Sequence, residues 1–169
     1  MTYHFKPIAA NFAEGSTTFK LAYKDPAYSF FVVLPSEDST LEAFLSQVDG
    51  PQLKGLLDGV NTTTCDLYLP RFKVESKVNG NELLNKLGVN TLISDGADLS
   101  KISEVPLKIS KVQHNAVIEV NERGTEAAAA TGIEAVPMCL PPQIRVDRPF
   151  LYGITYGDDS EVLFLGQFV

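Results

Sequence analysis

The chain has no tryptophan, and only two cysteines, two histidines and two methionines among its 169 residues. Two cysteines make no disulfide framework. Cys65 sits in an apolar run and reads as a small buried hydrophobe. His4 and His114 have no neighbouring His, Cys or paired carboxylate at ligand spacing, so no metal site is expected. The sequence has no G-x-S-x-G, no P-loop and no C-x-x-C. It therefore reads as a non-enzyme that takes no cofactor. It shows no secretory leader and no long apolar run. Basic residues are few, 14 against 21 acidic, for a net charge of −7, and they form no stripe. Neither nucleic acid nor an anionic membrane surface is expected as a partner, and nothing points to heparin.

What is present is 44% hydrophobic residues, enough for one ordinary domain with a real core. Residues 1–12 look extended. From Ser16 to Lys24, Phe19, Leu21 and Tyr23 alternate with more polar residues, the pattern of a one-sided strand. Tyr28 to Leu34 is a continuous apolar run, as in a strand buried on both faces. Ser39 and Glu42 predict a capping box. The helix after it would set Leu41, Phe44, Leu45 and Val48 on one face. Gly50-Pro51 opens a second helix carrying Leu53, Leu56 and Leu57, ended by Gly59. Thr63 to Val78 is extended and interrupted by Pro70. Asn81 to Leu87 is a short helix with an apolar face of Leu83, Leu84 and Leu87, stopped by Gly88. Pro106 to Asn121 reads as one long extended segment, and two further runs joined by Gly157-Asp-Asp-Ser160 read as a hairpin. The sum is an α+β fold, mostly antiparallel strands with short helices, forming a single unit over residues 1–169.

The stretch 121–142, NERGTEAAAATGIEAVPMCLPP, is unlike the rest. Between Gly124 and Ile133 there is no large side chain. With a period of two, Thr125, Ala127, Ala129, Thr131, Ile133 and Ala135 fall on one side, all small or uncharged, and Glu126 and Glu134 fall on the other. Such a segment can enter a sheet as a new strand. The same residues also read as a helix, since Thr125 is a good N-cap and alanine the best helix former. That helix would lack an apolar stripe. Both readings stand at this point. Beyond it, Pro137, Pro141 and Pro142 exclude helix and central strand, which leaves an exposed extended loop.

Glu122-Arg-Gly-Thr-Glu-Ala-Ala-Ala-Ala-Thr131 resembles the reactive-loop hinge of the inhibitory serpins. Pro137-Met-Cys-Leu-Pro-Pro142 resembles the bait of their antitrypsin-like members. Leu69-Pro-Arg-Phe72, Asp95-Gly-Ala-Asp-Leu-Ser100, Asp147-Arg-Pro-Phe-Leu151 and Phe164-Leu-Gly-Gln-Phe168 are similar to further segments of that family. The resemblance covers nearly the whole chain but only the C-terminal part of the family, whose members are more than twice as long.

The resemblance implies a serine protease inhibitor that acts as a suicide substrate. The hinge would be Gly124, Thr125, Glu126, Ala127, Ala128, Ala129, Ala130 and Thr131. The scissile bond would be Met138–Cys139, flanked by Val136, Pro137, Leu140 and Pro141. Met138 is an unbranched apolar side chain, which suits the primary pocket of an elastase-like or chymotrypsin-like protease. Glu122 and Arg71 would pair at the entry to the loop. His114, on residues alone a satisfied core histidine, would by resemblance latch the centre of the main sheet. The alternative, from a different class, is a truncated fragment that inhibits nothing. It would be cleaved as a substrate and self-associate by strand pairing along the open edge at 106–121. Extracellular is preferred over cytoplasmic as the compartment. Asn61-Thr62-Thr63 fits a glycosylation acceptor pattern.

Overall fold

In the computed structural model, residues 1–13, 15–121 and 141–169 are described. They group into two compact units, one of Met1–Phe72 with Val120–Val169 and one of Lys73–Glu119.

The first unit is built on a seven-stranded sheet. Its strands are β1 (Thr2–Ala13), β2 (Ser16–Ala22), β3 (Tyr28–Pro35), β4 (Asn61–Tyr68), β7 (Gln143–Arg145), β8 (Phe150–Tyr156) and β9 (Glu161–Phe168), in the order β7-β4-β1-β2-β3-β8-β9. All neighbours are antiparallel except β4 and β7. Strand β3 runs Phe-Phe-Val-Val-Leu because it is covered on both faces. Phe31 and Val33 pack with Leu151 of β8 under Leu41 and Leu57 of the helices α1 (Leu41–Gln47) and α2 (Gly50–Asp58). On the other face Phe30 stacks with Tyr152, and Phe72, Phe150 and Phe168 complete an aromatic cluster with ring centroids 5.1–6.4 Å apart.

The helices start where side chains accept their free N–H groups. The cap of α1 is Thr40, which accepts from the Ala43 N–H at 3.1 Å, one residue beyond the expected Ser39. Ser39 instead donates to the Thr40 carbonyl. The expected apolar face is correct: Leu41 is buried and Phe44 and Leu45 are half-buried. Helix α2 carries the full capping box, Asp49 with Gln52, and ends at Gly59. The hairpin of β8 and β9 turns through Gly157 and Ser160, both at positive φ.

The second unit contains α3 (Gly80–Lys86), a 3-10 turn at Thr91–Ile93, and most of a two-stranded sheet of β5 (Phe72–Asn79) and β6 (Gln113–Val120). The long strand expected from Pro106 to Asn121 is corrected here: only the eight residues Gln113–Val120 are strand. Strand β5 stops at Asn79 where α3 begins, so among the described residues no strand runs beside 106–112. Asn81 takes over, accepting from the Val112 N–H at 2.6 Å and donating to the Ser110 carbonyl at 3.1 Å. The Gly80 N–H closes the sheet on the Val112 carbonyl at 2.9 Å. The apolar face of α3 is as expected in sequence, but Leu83 and Leu87 are exposed.

Candidate reactive loop and its anchors

Two described strands bracket the stretch 121–142. On the entry side β6 ends at Val120, and Ile118 and Val120 are its buried residues. On the exit side Pro141 is half-buried and the chain is pinned at once. The Asp66 N–H donates to the Pro142 carbonyl at 3.0 Å, and the Val146 N–H donates to the Tyr68 carbonyl at 2.9 Å. Between these bonds β7 runs parallel to β4, with Asp66, Leu67 and Tyr68 opposite Gln143, Ile144 and Arg145. Ile144 and Val146 are buried, whereas Gln143 and Arg145 point outward.

Side chains reinforce this exit. The Arg145 guanidinium lies 4.6 Å from the centroid of the Tyr68 ring, a cation–π contact. The His4 ring meets the same tyrosine edge-on at 5.9 Å, and its Nδ1 lies 3.6 Å from Asp66 Oδ1. Just beyond, Arg148 donates to the Pro35 carbonyl at 2.9 Å and lies beside Asp147, fixing the start of β8. This arrangement holds one end of a peptide in place; it is an anchor. Beside it, burial pushes the Cys65 thiol above its ordinary value, and the charge of Asp66 adds to the shift. A buried thiol kept protonated is a poor nucleophile.

Of the residues expected at the site, Glu122, Gly124 to Thr131, Val136, Pro137, Met138, Cys139 and Leu140 lie outside the described residues. Pro141 is at the anchored exit. Arg71 is exposed, between Pro70 and the buried Phe72. His114 corrects its core reading: it is exposed, the second residue of β6, in a strand whose burial is confined to Ile118 and Val120. The anchoring group of Asp66, Tyr68 and Arg145, with His4, was not read from the sequence. The run after the two prolines is only three strand residues long, and nothing local marks its parallel partner. Among the described residues no cluster of three or more His, Cys, Asp or Glu could hold a metal. No described helix is long and apolar enough to cross a membrane.

Comparison with known proteins places this architecture. The family model for serpin (serine protease inhibitor) matches residues 1–169. The chain belongs to the serpin family. It is 41% identical over 152 residues to a serine protease inhibitor of Cyanea capillata, covering 88% of this chain and 40% of that protein. It is 37% identical over 155 residues to alpha-1-antiproteinase of Callosciurus caniceps, covering 91% of this chain and 37% of that one. Among solved serpin folds, uncleaved ovalbumin superposes with a TM-score of 0.85 at 32% identity, over 99% of this chain and 46% of its own. Native tengpin gives 0.78 at 28% identity, over 99% and 44%. The chain thus spans about two fifths of the length of the serpins it matches, and its α+β fold is their C-terminal portion.

Proposed function

We propose that this chain carries the hinge and bait of an inhibitory serpin, and that both units belong to one serpin domain. A serine protease of the elastase or chymotrypsin type attacks the Met138 carbonyl. The serine oxygen bonds to that carbon as the Met138–Cys139 bond breaks, and Cys139 leaves as the new amine end. The small-residue face of Thr125, Ala127, Ala129 and Thr131 then lets the freed strand enter a sheet beside β6. Non-inhibitory relatives tend to carry bulky or charged residues at such hinges. Glu122 with Arg71, and His114, are the contacts that govern this opening. The observation that supports the reading most is the pinned exit at 142–146. A bait fixed at one end by β4 and free of large side chains at the other can be cut and drawn away from that end.

Insertion between strands requires a strand on both sides of the gap. Among the described residues the sheet containing β6 has only β5 beside it. The 169 residues alone therefore act as a cleaved substrate, the inhibitory reading applying to a complete sheet. A specific observation also favours self-association. Leu83, Leu87, Ile102, Val105 and Val117 are exposed, all within 73–119. That unit holds six lysines and six acidic residues, so it is neutral while the whole chain carries −7. Apolar surface without net charge favours association of copies. The test is incubation with excess elastase, followed by residual protease activity and SDS gels. The chain alone is expected to be consumed without lasting loss of activity. A covalent, SDS-stable complex formed stoichiometrically by a monomer would overturn the substrate reading.

A further inference from the structure

We propose that Asn61 is an acceptor for an N-linked glycan, an inference that stands apart from the protease reading. Of the eight asparagines, only Asn61 begins an Asn-x-Ser/Thr triplet, and its middle residue, Thr62, is not proline. A triplet alone is weak, because such patterns arise by chance. The structure adds the surface the modification needs. Gly59 ends α2, and Asn61 is the first residue of β4, where strand pairing has just begun. Asn61, Thr62 and Thr64 are exposed. On one side Asn61 pairs with Ala10 of β1. On the other, β7 reaches only Asp66–Tyr68, so among the described residues no strand runs beside 61–64. A bulky attached group has open space there.

The local bonding is compatible with the product. Asn61 Nδ2 donates to the Gly59 carbonyl at 3.2 Å, and the Thr63 hydroxyl donates to the Asn61 carbonyl at 3.3 Å. Neutral amide nitrogen carries two hydrogens. In the transfer, Nδ2 loses one proton as it bonds to the anomeric carbon of a lipid-linked oligosaccharide diphosphate, and the bond from that carbon to the diphosphate oxygen breaks. No electrons are exchanged. One hydrogen remains on Nδ2, so the amide keeps a donor for the Gly59 carbonyl.

The test is translation of the full chain behind a cleavable signal sequence in the presence of microsomes. The protease-protected product should run one glycan heavier, and peptide N-glycosidase should remove the increment and leave aspartate at position 61. Asn61→Gln and Thr63→Ala should abolish the shift, and Thr63→Ser should retain it. A protected product that is mostly unmodified would overturn the proposal. As a second measurement, glycosylated wild type and Asn61→Gln should have the same urea midpoint. A large loss of stability in the glycosylated form would show that the folded surface at β4 is closed to the group.

Discussion

Gly153 and Gly55 permit the same substitution with opposite expected signs. Gly153 lies in the middle of β8, between Phe31 of β3 and Leu165 of β9. A methyl group there would collide with the Phe164 carbonyl oxygen and stand 2.6 and 2.7 Å from two ring carbons of Phe31. Phe31 is fully buried in the cluster beneath α1 and α2, and Phe164 is backbone in a paired strand, so neither can simply step aside. Overpacking of this kind costs 1–3 kcal/mol and more when backbone must move, so Gly153→Ala should lose about 3 kcal/mol. Gly55 is inside α2, and a Cβ placed on it would face open space beyond its own helix. Gly55→Ala should gain up to about 1 kcal/mol from helix propensity. Tyrosine fluorescence during urea titration is the assay. The chain has no tryptophan, and its six tyrosines all lie in the first unit with both glycines, so the signal follows that unit. With a slope of roughly 1–3 kcal/mol per molar urea, the Gly153→Ala midpoint should drop by about 1–3 M. A Gly153→Ala midpoint at or above that of Gly55→Ala would refute this account of the packing.

Stability should also fall at alkaline pH through Cys65. Its thiol is raised above its ordinary value of 9.0, so the folded state holds the proton more tightly than the unfolded chain does. That contribution is complete below pH 9 and is lost as pH rises through the higher folded value. Urea midpoints between pH 8 and 10 should show a decline that Cys65→Ala lacks; parallel slopes would refute it. In the neutral unit, Leu87→Asp with Ile102→Glu should reduce self-association measured by sedimentation, and the same change of charge at exposed Leu163 and Leu165 of the first unit should do so less. Arg145→Ala should cost about 0.5–1 kcal/mol, the worth of an exposed cation–π contact, and an unchanged urea midpoint would show that the stacking on Tyr68 holds nothing.

Much of the fold is legible in residue pattern because burial imposes periodicity. Strand β3 reads as apolar throughout because it is covered on both faces, and α2 is bounded by Asp49, Pro51 and Gly59, whose chemistry is local. What the pattern does not carry is partnership. Leu83 and Leu87 form an apolar stripe on α3 whether or not anything covers it, and both are exposed. Likewise 106–121 is extended in composition, but a strand exists only where β5 runs beside it. His114 looked internal from its apolar neighbours, yet the covered part of β6 begins four residues later. The exit anchor was illegible for the same reason: β7 is three residues long, and its pairing with β4 joins segments far apart in sequence. The bait and hinge, by contrast, were visible only as sequence, through small residues, prolines and the resemblance they carry.

The most direct measurement of the central claim is the position of the first cut. Brief exposure of the chain to a limiting amount of elastase or chymotrypsin, followed by N-terminal sequencing of the smaller product, should return Cys-Leu-Pro-Pro, the residues from Cys139 onward. A first cut elsewhere, with 133–142 intact, would contradict the assignment of this stretch as the bait.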